Sequence, residues 1–300
     1  MPDRKNIAVI GLGSMGFGMA ASLLRAGHAV SGCDVAAGAR DRLRDSGGQA
    51  FDTPADTARD AEIAVIVVLN AAQTETVLFG SAGVASVLRP GSVIISCATI
   101  PPAQARAFAA RAAEQGLHYL DAPISGGSVK SEAGKLTIMA SGTPDAFKAA
   151  RPALDAMAET VFELGDEAGI GSSFKIVNQL LAGVHIAAAC EAITFAKSLG
   201  LDISRVFEVI TRSAGNSWMF ENRVPHILEG DYSPRSAVSI FTKDLGLVSE
   251  IGLSGKFPLP IASAALQLFV MTEAAGMGKD DDASVARLLA KIAGLELPGK

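Results

Sequence analysis

The segment Gly11-Leu12-Gly13-Ser14-Met15-Gly16 stands directly behind a short apolar strand pattern, Ile7 to Ile10, and directly ahead of a helical one. Strand, glycine turn and helix in that order confine the amino-terminal half to a βαβ unit of the dinucleotide-binding kind. The first glycine permits a tight turn, the second lets a pyrophosphate approach the backbone, and the third lets the helix pack closely. The helix start that Leu12, Ser14 and Met15 share with these glycines then faces the phosphates. Asp34 ends the second strand pattern 21 positions after Gly13, where an acidic residue accepts hydrogen bonds from the adenosine ribose hydroxyls. A carboxylate there repels the extra phosphate of NADP, and no arginine follows it at once, so NAD is the expected cofactor. Arg40 is near enough to keep NADP as a minor alternative, against its plainer reading as a solvated helix charge.

The same rhythm continues to about Leu164. Ala29 to Asp34, Ile63 to Leu69, Val93 to Ser96 and His118 to Asp121 are near-continuous apolar runs, as expected of parallel strands covered by helices on both faces. Leu136 to Ala140 and Val161 to Leu164 are expected to extend the sheet. After Gly165 the strand signal stops. A long helix is predicted from about Ser173 to Ser198, its start marked by Gly169-Ile170-Gly171-Ser172-Ser173 with serine available for capping. Helical patterns follow near Ile203 to Ser213, Ser217 to Leu228, Thr242 to Gly252, Ile261 to Ala275 and Ala283 to Ile292. The expected architecture is α/β: a doubly wound Rossmann domain over residues 1–165, then an all-helical domain over 166–300, joined by the long interdomain helix.

Composition narrows the function classes. A net charge of -5 and a pI of about 5.4 give no electrostatic footprint for nucleic acid or an anionic membrane. Cys33, Cys97 and Cys190 fit no disulfide framework or metal spacing, and neither do His28, His118, His185 and His226, so no metal site is expected and the thiols are read as reduced and cytosolic. His185 reads as a packed helix residue or a subunit contact. No secretory pattern is expected, since Met1 to Asn6 run straight into the first strand. The most apolar helical run, Leu180 to Cys190, is about half of the roughly twenty residues that span a bilayer, and reads as a buried helix. A cytoplasmic homo-oligomer, dimer or tetramer, is the expectation from so apolar a helical half.

Two further segments carry chemistry. Asp121-Ala122-Pro123-Ile124-Ser125-Gly126-Gly127-Ser128 follows a strand, and its paired glycines leave backbone N–H groups to receive a carboxylate, unless it is simply a structural turn. In the long helix Lys175, Asn178 and Gln179 sit at i, i+3 and i+4 and share one face of an otherwise apolar element. A cleft between domains explains such a face better than solvent does, and partial desolvation lowers a lysine pKa toward the range useful for proton transfer. Phe241-Thr242-Lys243-Asp244-Leu245 adds a second lysine, with a plain Lys–Asp surface pair as the alternative.

Together these segments resemble the β-hydroxyacid dehydrogenase family over essentially the whole chain, with its motifs in the right order. Gly11 to Gly16 looks like the cofactor loop, and Ser96-Cys97-Ala98-Thr99-Ile100-Pro101-Pro102 like the nicotinamide segment. Asp121 to Gly127 looks like the substrate motif, Gly171 to Lys175 like the catalytic motif, and Lys243-Asp244-Leu245 like the last. The resemblance implies Lys175 as acid/base and Thr99 and Lys243 as cofactor contacts, with Leu69 and Asn70 joining that set. It implies Ser125, Gly126, Gly127, Asn178 and Gln179 around the substrate. Where the family usually has asparagine four positions after the lysine, this chain has Gln179, with Asn178 before it. With Leu180 to Ile186 and Gly215 to Arg223, this looks most like a branch oxidising C2 of a four-carbon sugar acid. The rivals are 3-hydroxyisobutyrate, the tartronate semialdehyde/glycerate pair, and a non-catalytic NAD-sensing protein, against which the retained Lys175 counts.

Overall fold

A computed structural model describes residues 4–299, so Met1 to Asp3 of the opening stretch, and Lys300, lie outside the described residues. The chain divides into two compact units, Met1–Lys175 and Ile176–Lys300.

The first unit is built on six parallel strands: β1 (Asn6–Ile10), β2 (Ala29–Cys33), β3 (Gln49–Phe51), β4 (Ile63–Ile66), β5 (Val93–Ser96) and β6 (His118–Asp121), in the order β3-β2-β1-β4-β5-β6. Successive strand residues face opposite sides, and the apolar runs supply both. Ile7, Val9, Ile63, Val65, Val93 and Ile95 enter one core. Ala8, Ile10, Ala64, Ile66 and Ile94 enter the other. Each large aliphatic side chain so buried contributes about 1.5–3 kcal/mol. The connecting helices are α1 (Ser14–Arg25), α2 (Ala37–Asp45), α3 (Pro54–Ala58), α4 (Ala71–Phe79) and α5 (Pro102–Ala113). Local chemistry starts two of them: Thr53 and Asn70 accept N–H bonds as N-caps of α3 and α4.

The later apolar runs do not extend this sheet. β7 (Ile124–Ser125), α6 (Gly127–Ala133), β8 (Leu136–Ala140), α7 (Pro144–Met157) and β9 (Ala158–Glu163) form a second, three-stranded sheet in the order β7-β8-β9. β7 runs antiparallel to β8 and β9 parallel to it, so these strands satisfy their backbone groups on one another rather than on the edge of the first sheet. A short bridge between Asp121 and Ser141 is what links the two sheets. The strand β3 carried no signal in the sequence because it is a three-residue edge with half-exposed side chains.

α8 (Ile170–Ser198) crosses from the first unit into the second, and starts three residues earlier than predicted. It is long and apolar enough to cross a membrane, unlike the shorter run singled out in the sequence, but half of its most apolar stretch is buried in the protein, as in a core helix. The second unit continues with α9 (Ile203–Ile210), α10 (Trp218–Glu229), α11 (Val238–Ser254), α12 (Pro260–Thr272) and α13 (Val285–Ala293). Its core gathers Ile186, Ile193, Val224, Phe241, Leu245 and Phe269, with the Phe241 and Phe269 rings 5.4 Å apart. α12 ends sooner than predicted, in a wide turn over Glu273–Met277 kinked at Gly276. A buried ion pair and a buried hydrogen bond fasten α10 to the segment before α13: Arg223 Nε to Asp282 at 2.6 Å and His226 Nδ1 to Asp281 at 2.8 Å. Buried charges persist only when paired in this way.

Candidate active site

The strand order reverses direction between β1 and β4, and in such sheets ligands bind outside the carboxyl ends of the strands at that switch point. Every predicted site residue of the first unit except Lys175 lies in a segment leaving those ends. Gly11 follows β1, Asp34 follows β2, Leu69 and Asn70 lie just past β4, Thr99 lies past β5, and Ser125 to Gly127 follow β6.

The cofactor loop passes a direct fit test. A side chain at Gly11, where φ is +95°, would come within 2.1 Å of the Val67 carbonyl oxygen, so only glycine makes this turn. Gly13 is the opposite case: a Cβ there meets no atom within 4 Å, although the backbone is ordinary extended chain. The second glycine therefore serves no packing need of the protein and leaves open space at the start of α1. No side chain caps that helix, so its first N–H groups are left for an anion. Asp34 also braces the loop, accepting the Leu12 N–H at 2.7 Å and the Ala36 N–H at 2.8 Å, and each carboxylate oxygen has a lone pair left for a ribose hydroxyl.

Arg40 is not the solvated charge expected of it. Its side chain is 18% exposed, donates to the Asp34 carbonyl at 2.5 Å and pairs with Asp52 at 3.1 Å. These bonds hold the guanidinium on protein oxygens. Val35, beside Asp34, is fully exposed, an apolar surface at the cofactor end that the sequence reading missed. Asn70 caps α4 through its side chain, and the exposed Leu69 donates its N–H to Gln73. Cys97 is no nucleophile: burial pushes its thiol up to about 12.

Gly126 has φ of +134°, and a Cβ there would lie 3.0 Å from the Lys130 side chain; Gly127, at φ +75°, faces open space. The helix after this loop locks onto the cofactor helix, with Ser131 Oγ donating to the Met15 carbonyl at 2.6 Å and Ser22 Oγ to the Ser131 carbonyl at 3.0 Å. Lys175 is 7% exposed, one turn beyond Ser172 in α8. The serines at that helix start do not cap it, contrary to expectation. Asp121 and Ser141 do: Asp121 accepts the Gly169 and Ser172 N–H groups at 2.8 Å each, and Ser141 Oγ accepts the Gly171 N–H at 2.9 Å. Burial pushes the Asp121 carboxyl above the ordinary range, and these donors pull it back.

In the second unit Asn178, Gln179 and Lys243 meet at one buried carboxylate. Asp244 is 1% exposed, accepts the Gln179 side-chain amide and holds Lys243 Nζ at 2.7 Å, while Asn178 donates to Gln179 Oε1 at 2.9 Å. The Lys–Asp pair is therefore real but not a surface one, and it fixes the amide that departs from the family pattern.

Residues 6–165 match the family described as the NAD binding domain of 6-phosphogluconate dehydrogenase. Residues 169–289 match the NAD-binding of NADP-dependent 3-hydroxyisobutyrate dehydrogenase. The chain belongs to the 3-hydroxyisobutyrate dehydrogenase-like, or β-hydroxyacid dehydrogenase, family. It is thus an NAD-binding hydroxyacid dehydrogenase acting on a small molecule, with a Rossmann domain followed by a helical one. Among members of this family, the L-threonate dehydrogenase of Cupriavidus necator is 51% identical over 99% of this chain and 99% of its own. That of Escherichia coli K12 is 45% identical over 98% and 97%. A crystal structure of 3-hydroxyisobutyrate dehydrogenase from Salmonella typhimurium superposes with a TM-score of 0.90 at 46% identity, covering 95% of this chain and all of that one.

Proposed function

We propose that this dehydrogenase oxidises L-threonate at C2 to 2-dehydro-L-erythronate with NAD, using Lys175 as general acid/base. The observation that carries the reading is full-length likeness, at 45–51% identity, to L-threonate dehydrogenases of several bacteria. Bound NAD supplies the hydride acceptor at nicotinamide C4. The residues Gly11, Leu12, Gly13, Ser14, Met15 and Gly16 hold its pyrophosphate, and Asp34 its ribose. Leu69, Asn70, Thr99 and Lys243 complete the cofactor contacts. Ser125, Gly126 and Gly127 hold the substrate carboxylate on backbone N–H groups and the Ser125 hydroxyl. Lys175 in its neutral form takes the proton of the C2 hydroxyl as the carbonyl forms. Asn178 and Gln179 orient the sugar hydroxyls, with Asp244 holding the Gln179 amide.

A second reading, 3-hydroxyisobutyrate as substrate, has the name of the Salmonella structure in its favour. A spectrophotometric panel of C3 to C6 hydroxy acids with NAD and NADP separates the two. L-threonate is expected to give the highest kcat/KM, and NAD to exceed NADP at least tenfold, about 1.4 kcal/mol in transition-state binding. A preference for 3-hydroxyisobutyrate, or for NADP, contradicts the substrate or the Asp34 assignment respectively.

The protein is further read as a cytoplasmic homo-oligomer. Its three cysteines are free and buried, and Phe174, Val177 and Leu181 leave an exposed apolar stripe at helical spacing along α8. A solution mass equal to one chain would contradict the oligomer.

A further inference from the structure

The start of α8 is attached to the end of β6 by a single side chain. Asp121, the last residue of β6, is wholly buried. Its Oδ2 accepts the N–H groups of Gly169 and Ser172, and its Oδ1 accepts the Ser172 hydroxyl at 2.7 Å. Its backbone is held as firmly, exchanging N–H and carbonyl bonds of 3.0 and 2.8 Å with Ser141. Ser141 in turn takes the Gly171 N–H through its hydroxyl. The contact has no slack, since a Cβ on Gly171 would lie 2.3 Å from the Met139 carbonyl oxygen and 2.8 Å from that of Asp121.

Two consequences follow from chain position. Asp121 opens the loop that reaches Ser125 four residues later, so the loop inherits the backbone placement of Asp121. Lys175 lies three residues beyond Ser172, about 4.5 Å along the helix axis, so its stem inherits the placement of that first turn. One residue therefore sets the substrate loop through its backbone and the lysine through its side chain. A misplacement of about 1 Å in a reacting group costs on the order of 100-fold in rate.

We propose that Asp121 is a positioning residue for Lys175, its buried carboxylate holding the first turn of α8 in register with the Ser125 to Gly127 loop. The inference rests on the reading of Lys175 as the general acid/base. Asp121 itself touches no reacting atom. The Gly169 and Ser172 N–H groups and the Ser172 hydroxyl, which its carboxylate accepts, all belong to the entry and first turn of α8, so its effect on turnover passes through the lysine that follows.

The test uses the full-length enzyme with NAD and L-threonate, and reads kcat, KM and NADH affinity in four variants. Asp121→Ala removes all three bonds and is expected to lower kcat about 10- to 100-fold, with KM and NADH affinity within about threefold of the parent. Asp121→Asn is expected to restore kcat to within about threefold. Its amide can turn so that the oxygen keeps both N–H bonds and the amino group donates to Ser172 Oγ. In a Lys175→Ala background, Asp121→Ala is expected to change the residual kcat less than twofold. Should Asp121→Ala not fold, Ser172→Ala removes one of the three bonds and carries the same comparison, with an expected loss of about 3- to 10-fold confined to the Lys175 background. An equal loss in both backgrounds, an Asp121→Asn enzyme as impaired as Asp121→Ala, or an unaltered kcat in the truncated variant refutes the positioning role alone. A Lys175→Ala enzyme that kept its kcat would refute the acid/base reading and this role with it.

Discussion

Lys175→Ala is expected to lower kcat by about 10² to 10⁴, the usual contribution of a positioned proton acceptor, while NADH affinity stays near that of the parent enzyme. Lys175 lies in the first turns of α8, where alanine is the strongest helix former, so the substitution keeps the backbone of that helix. Folding is therefore expected to survive, checked by circular dichroism and the thermal midpoint. Lys243→Ala offers the contrast. That lysine neutralises the buried Asp244, which also holds Gln179, so its loss is expected to weaken NADH binding and turnover together. A folded Lys175→Ala protein with most of its kcat would remove the lysine from the mechanism.

Gly13→Val is expected to leave the cofactor-free protein intact and to raise the NADH dissociation constant at least 100-fold. The structure supplies both halves of this expectation. The backbone at Gly13 suits any residue and a Cβ there meets nothing, so stability should change by no more than about 1 kcal/mol. A branched side chain would fill the open space in front of α1 and displace the pyrophosphate from its N–H groups. Two lost hydrogen bonds to a charged group, at about 1.5–3 kcal/mol each, amount to 10² to 10⁴ in affinity. Calorimetric titration with NADH beside a thermal melt makes the check. Valine at Gly13 with parent-like NADH affinity would mean that the loop is a structural turn.

The sequence carried the parallel sheet and the cofactor loop because their causes are local. Apolar runs of four or five residues, glycine at Gly11 and an acid at Asp34 each report a constraint within one βα unit. The second sheet was not readable, since Leu136 to Ala140 has the same apolar pattern whether it joins the large sheet or pairs with Ile124 and Ser125. Ser172 and Ser173 suggested a capped helix start, but the cap comes from Asp121, 51 residues away, and no spacing rule spans that distance. Arg40 looked like a helix charge because its partner Asp52 lies beyond a loop and a strand. The Arg223–Asp282 and His226–Asp281 pairs escaped notice for the same reason: each residue alone is an ordinary polar position, and only the fold brings the partners together inside. Lys175, Asn178 and Gln179 were readable as one helical face, whereas the carboxylate that organises Gln179 and Lys243 was passed over as a surface partner of its neighbour.

The central claim, oxidation at C2 of L-threonate, is tested most directly by following the hydride. L-threonate deuterated at C2 is incubated with NAD and the enzyme, and both products are weighed by mass spectrometry. Oxidation at C2 breaks the labelled bond, so the reduced nicotinamide is expected to carry one deuterium and the 2-oxo acid none. Deuterium retained in the acid, with unlabelled NADH formed, would mean that the hydride leaves C3, as in a β-hydroxyacid, and would contradict the account.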